Sequence, residues 1–227
     1  MATNLNQQID LPAPPNLGSP SQAYDPRYFF QSNGSLNVYF VKLRNIFGTL
    51  FGPRGGKFVN NPYGAFQDTT DQTATANTAT VMTFNTTDFS NGVSVVTSGG
   101  KASRLTVAQA GIYNLQFSAQ FDNADTQEHD VSIWLRQDAS GAGTDIAGST
   151  GFVGVPSSHG GISGHIIAGW NYFVTLNAND FVEIWWSTPS TQVTIQAYAA
   201  GTSPTRPSTA SVVATLSFVS NLSTETA

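Results

Sequence analysis

The stretch GIYNLQFSAQF, residues 111–121, constrains this chain more than any other. Tyr113, Leu115, Phe117, Ala119 and Phe121 alternate with Asn114, Gln116, Ser118 and Gln120. Successive side chains of a strand point to opposite faces, so the run is a strand with one apolar and one polar side. A helix would scatter both sets around its circumference. The pattern therefore calls for an antiparallel sheet with one covered face.

The rest of the chain from about residue 65 repeats that character. TVMTF (80–84), VSVV (93–96), RLTV (104–107), VSIWLR (131–136), NYFVTL (171–176), FVEIWW (181–186), VTIQAY (193–198) and VVATLSFV (212–219) are rich in β-branched and aromatic residues. Asn91-Gly92, Ser98-Gly99-Gly100 and Asn177-Ala178-Asn179-Asp180 punctuate them as turns. Eight to ten short strands at this spacing predict an all-β sandwich or barrel. No internal repeat points to a propeller or solenoid.

The first 64 residues are built differently. Prolines 12, 14, 15 and 20 exclude regular helix or central strand, predicting an extended arm over 1–30. Tyr24, Tyr28, Phe29 and Phe30 are costly to leave in water, so Pro12, Pro14, Pro15 and these aromatics are expected to anchor the arm on a partner. Leu36, Phe40, Leu43, Phe47 and Leu50 then recur at intervals of 4, 3, 4 and 3, a heptad seam. A helix over 31–52 is expected, capped by Ser35 and stopped by GPRGG, with 53–64 as a linker. A strand domain over 65–222 and a tail at 223–227 complete the expected organisation.

Composition narrows the function. Only 10% of residues are charged and the formal net charge is −5, which argues against nucleic-acid binding. Cysteine is absent, removing disulfides, thiol catalysis and thiolate metal sites. The first residues lack a basic segment followed by an apolar one, so folding in a cytoplasm is expected, and no apolar run reaches membrane-spanning length. Catalytic patterns fail as well. GISGH (161–165) lacks the last glycine of a nucleophile elbow, and SGGK (98–101) lacks the remainder of a phosphate loop. His129, His159 and His165 have no zinc-like spacing, and FDNADTQEHD (121–130) lacks the order of a calcium loop. Asp180 and Glu183 are the only neighbouring carboxylates in the FVEIWW region, with no further feature of a glycosidase. Trp134, Trp170, Trp185 and Trp186 are expected in core or interface more often than on a sugar. No enzyme activity and no cofactor is expected.

Three elements carry a family resemblance. AGIYNLQFSAQF resembles the central strand of the tumour-necrosis-factor and complement globular-head jelly rolls; VTLNANDFVEIWW resembles a later strand–turn–strand unit of that superfamily. VVATLSFV resembles its closing strand, which returns to the centre beside the first, although the Phe-Ser-Gly-Phe closing motif is replaced by LSFVSNL. TFNTTDFSNGV, AGIYNLQFSAQF and SPTRPSTASVVATLSFVSNL are also similar to C-terminal domains of tailed-bacteriophage virion proteins, in which a Pro-rich arm and short helix precede a jelly roll.

These resemblances imply a homotrimeric jelly-roll knob on a virion, joined to other virion proteins by its N-terminal arm. Leu36, Phe40, Leu43, Phe47 and Leu50, with Tyr113, Phe117, Phe181 and Trp185, are the expected trimer contacts. FVEIWW supports a second covered face independently, because both of its sides are apolar. Receptor contacts are expected in loops 122–130, 138–151 and 156–165, with Asp125, Glu128, His129, Ser157, Ser158 and His159 as candidates for a host-surface glycan. A head-decoration protein and a free carbohydrate-binding module are the alternative functions.

Overall fold

A computed structural model describes residues 11–19, 23–51, 61–138, 141 and 143–222, with backbone alone at 49–51. It separates into two units, Met1–Asn60 and Asn61–Ala227.

In the first unit a single helix, α1, runs Pro26–Phe51. It starts nine residues before the expected Ser35 cap, because Asp25-Pro26 forms a complete start signal. The Asp25 carboxylate accepts the Arg27 N–H at 2.9 Å, and proline is tolerated at the first helical position, where no intrahelical donor is needed. Tyr28, Phe29 and Phe30 are therefore helical rather than part of an extended arm. Pro12, Pro14 and Pro15 do lie in non-helical chain. Pro12 and Pro15 are half-buried, lining a groove with Phe30, Gly34, Val38 and Tyr39 of the helix, and the Tyr28 hydroxyl donates to the Gly18 carbonyl at 3.2 Å. The described part of the arm thus folds along its own helix. Pro20, the linker over 53–60, the Leu50 side chain and the tail at 223–227 lie outside the described residues.

The second unit is the jelly roll. Its principal strands are β1 (Tyr63–Asp68), β2 (Thr86–Asn91), β3 (Val93–Ser98), β4 (Lys101–Val107), β5 (Gly111–Asn123), β6 (His129–Asp138), β7 (Gly151–Val155), β8 (Gly164–Leu176), β9 (Phe181–Ser187) and β10 (Val212–Ser220). One antiparallel sheet has the order β2-β1-β10-β5-β8 and the other β3-β4-β9-β6-β7. The chain crosses between sheets after β2, β4, β5, β7, β8 and β9, and β10 inserts between β1 and β5. That connectivity is a jelly-roll sandwich. The expected strand 80–84 shortens to Thr80–Val81, paired to Trp185 and Trp186 at the edge of β9.

Two details show how the sequence sets this packing. Gly111 opens β5 because a Cβ there would run into the Phe218 ring, which packs edge-on against Tyr113 at 5.7 Å. Between Val96 and Thr97 the β3–β4 register shifts by one residue, leaving Ser103 as the extra residue on β4. Such a bulge re-aims a side chain, and here the Ser103 hydroxyl is directed to Glu183 of β9.

The core lies between the sheets. Tyr113, Leu115, Phe117, Ala119 and Phe121 from β5 meet Val182, Ile184 and Trp186 from β9, with Val131, Ile133 and Leu135 from β6. Tyr113 and Phe117 are therefore interior residues of one protomer, which overturns their expected place in a trimer contact. The alternation in β5 records burial between sheets, and such burial looks the same in sequence whether the covering surface belongs to the same chain or to another. Phe181 is also buried within the protomer. The Arg104 guanidinium covers its ring at 3.9 Å, so its burial needs no neighbouring subunit.

Candidate functional site

Three surfaces hold the residues singled out by sequence. The first is the outward face of the β2-β1-β10-β5-β8 sheet. Asn114, Gln116 and Ser118 of β5 face out along its middle, and Asn114 donates to Asn171 of β8 at 3.1 Å. The same face carries Ile167, 61% exposed, and Phe173, 58% exposed, with Val213 and Val219 of β10 also exposed. At its β1–β2 edge Tyr63 packs on exposed Phe89 at 5.9 Å. An amide-lined centre is thus bordered by large apolar side chains in water. Sequence reasoning missed Ile167, Phe173 and Phe89. Their signal was the interruption of polar rows by single large apolar residues.

The second surface is the outward face of β6 and β9. Glu183, only 3% exposed, accepts from Ser103 Oγ at 2.9 Å and Trp185 Nε1 at 3.0 Å, and pairs with Arg104 Nε at 3.3 Å. Arg104 also donates to the Gly141 carbonyl at 2.7 Å. Trp185 stands opposite Trp134 of β6 with ring centroids 6.5 Å apart, and the Arg136 guanidinium lies 4.1 Å over Trp185. Asp145 receives Arg136 Nε at 2.8 Å and Trp134 Nε1 at 3.1 Å, and the Arg136 hydrogen bond chiefly holds its carboxyl below the usual range. Gly143, with φ 79°, lies against the Arg136 stem, where any Cβ would collide. Trp185 is consequently half-buried under side chains of its own protomer. Asp180 is not aimed at Glu183; it closes the turn before β9 by accepting the Asn177 N–H at 2.7 Å.

The third surface is one end of the sandwich. His129 Nε2 lies 2.9 Å from Asp125 Oδ2, and this hydrogen bond is the main cause of the lowered Asp125 pKa. The Asn123 amide donates to the Gln127 carbonyl at 2.8 Å and the Pro156 carbonyl at 3.0 Å; the Ser158 N–H donates to the Asp125 carbonyl at 2.6 Å. Loops 122–130 and 156–163 are thereby joined. Ser157 and Ser158 are half-buried in that junction, while Glu128 and His159 are exposed. The third expected loop starts at Asp138, the far end of β6, so the structure unites two of the three. Nearby, Tyr198 donates to Asp122 at 3.2 Å and lies 3.1 Å from His165 Nδ1; burial and the Asp122 charge push the phenol up to about 12. Among the described residues no group of three or more His, Asp and Glu side chains is placed to hold a metal ion.

No family profile matches the chain, and no curated protein does. Among solved structures, the chain is similar to that of Eiger TNF from S. frugiperda, at 9% identity and a TM-score of 0.49, covering 74% of this chain and 98% of that one. The strand order above, rather than this likeness, establishes the jelly roll.

Proposed function

We propose that the chain is a non-enzymatic structural protein of a tailed-phage virion: a short homotrimeric knob held on the particle by its N-terminal segment and contributing to attachment at the host surface. The observation that carries the reading is the outward face of the β2-β1-β10-β5-β8 sheet. Ile167 and Val213 toward one end of this face, and Phe173 and Val219 toward the other, are apolar side chains that a monomer keeps in water and that an interface would cover. Three copies meeting through this face would cover those residues and bring the Asn114–Asn171 amides together. This face takes the role that the sequence reading had given to Tyr113 and Phe117.

The first unit supports the same reading. Phe40 is 60% exposed, with Val38, Val41 and Phe47 also exposed along α1, while Leu36 and Leu43 are half-buried. A single helix with that surface calls for copies of itself or a docking partner. At its start, exposed Tyr24 stacks on Phe29 at 5.5 Å beside exposed Phe30, an aromatic group suited to anchoring on another virion protein.

Light scattering on the purified chain should give a trimer, and Ile167→Asp with Phe173→Asp should give a folded monomer. A stable monomer from the unmodified chain at micromolar concentration overturns the assembly. Particles assembled with a chain lacking residues 1–23, which keeps the Asp25 cap, or with Phe29→Ser and Phe30→Ser, should lose the protein. Normal incorporation of both variants refutes the anchor. Adsorption unchanged in particles lacking the protein would assign it to particle stabilisation instead of attachment.

A further inference from the structure

The aromatic face of β6 and β9 has more organisation than sandwich packing requires. Trp134 and Trp185 stand opposite each other, each with its indole N–H tied to a carboxylate, Asp145 and Glu183 respectively. Their rings are therefore fixed before any ligand arrives, which lowers the entropy lost on binding. One row further along the sheet the side chains become small: Ser132 of β6 lies opposite Ser187 of β9. On the other side of Ser132 is Phe152 of β7, which is 74% exposed. Two serines thus floor a step between a pair of half-buried indoles and an exposed phenyl ring. Adjacent strands are about 4.8 Å apart, so the three columns span roughly the length of one or two pyranose rings.

We propose that this step is a binding site for a neutral saccharide, stacked on Trp134 and Phe152 with its hydroxyls over Ser132 and Ser187. The charges on the face point to that class. Arg136 is paired with Asp145 and Arg104 with Glu183, so both arginines beside the step are already engaged. Exposed Asp130 stands two residues from Ser132 on the same face of β6 and can accept from a ligand hydroxyl. The rest is ring surface and hydroxyl groups. A pyranose offers the complement: C–H bonds with partial positive character for the negative ring faces, and hydroxyls that exchange hydrogen bonds with serine. An acidic sugar would have to compete with Asp145 and Glu183 for the arginines and would meet the Asp130 carboxylate as well. The site lies on strands rather than on the loops expected from sequence, and it gives the attachment reading a ligand class without depending on particle assembly.

The test is an array of immobilised bacterial glycans probed with the full-length chain, followed by calorimetry with the best free oligosaccharide. Binding of a neutral glycan is expected, weakened about tenfold by Phe152→Ala. Ser132→Tyr, which fills the step and leaves both indoles in place, should block it. Circular dichroism and the melting temperature confirm that each variant is folded. Trp134→Ala should abolish binding; if that variant does not fold, Phe152→Ala and Ser132→Tyr decide the matter. A chain that binds no glycan on the array, or binds one equally well in both of those variants, overturns the site. A chain that joins particles but binds no glycan leaves the virion reading standing; one that binds glycan but joins no particle does the reverse.

Discussion

Arg104→Met should cost about 3 kcal/mol of stability, and the reason lies in Glu183. Its carboxylate side chain is 4% exposed, and Arg104, at 21%, is its one ion-pair partner among the described residues. Methionine keeps an aliphatic stem over Phe181 but removes the charge. The remaining donors, Ser103 Oγ and Trp185 Nε1, are neutral. Breaking a buried pair by deleting one partner costs about 3–5 kcal/mol, because the other charge is left without compensation. The partial exposure of Arg104 places this case at the lower end. For a domain of this size, about 3 kcal/mol lowers the melting temperature by roughly 6–12 °C. Urea unfolding followed by tryptophan fluorescence, at one fixed protein concentration, measures the loss directly. The double variant Arg104→Met, Glu183→Gln is the control. Its neutral amide keeps the Ser103 donor and needs no cation, so most of the lost stability should return. A single variant within about 1 kcal/mol of the parent, or a double variant no more stable than the single, would refute the argument.

Other substitutions probe separate parts of the molecule. Phe40→Ser with Phe47→Ser should weaken assembly, read by light scattering, while the β signal in circular dichroism persists; loss of that signal would make α1 part of what holds the jelly roll. Asp68→Ala should cost about 2–4 kcal/mol in urea unfolding, since the buried carboxylate accepts from Thr70 N–H at 2.9 Å, Thr83 Oγ1 at 2.8 Å and Asn85 Nδ2 at 3.0 Å, and those donors lose their acceptor. Burial pushes Tyr113 from 10.0 up to about 12. Its folded pKa lies above its unfolded one, so its contribution is complete below pH 10 and is lost as pH rises toward 12. The urea midpoint should fall across that window, and Tyr113→Phe should flatten the fall while costing the hydrogen bond that Tyr113 donates to the Gln109 carbonyl.

Much of this molecule could be read from local pattern. The two-residue period of 111–121 and the turn at Asn177–Asp180 follow from side-chain alternation and turn chemistry, which act between near neighbours, while the return of 212–219 to the sheet centre was legible only through the family resemblance. The heptad in α1 was legible from near-neighbour spacing as well. The helix start was equally local, yet Asp25-Pro26 stood inside a proline-rich region whose composition obscured it. Other features depend on contacts between residues far apart in the chain, and only the tertiary structure decides them. Alternation shows that Tyr113 and Phe117 are covered, but not by what; the packing of β9 and β6 over them shows that it is their own protomer. The two apolar sides of FVEIWW suggested a neighbouring subunit, whereas Arg104, from a strand far away in the sequence, covers Phe181 instead. The exposed positions of Ile167, Phe173 and Phe152 likewise follow from strand register across the sheets. Sequence determined which segments become strands and which of their faces are alike, because those depend on backbone geometry and neighbouring side chains. Which surface lies against which depends on how ten strands are ordered into two sheets, and that ordering comes from long-range pairing.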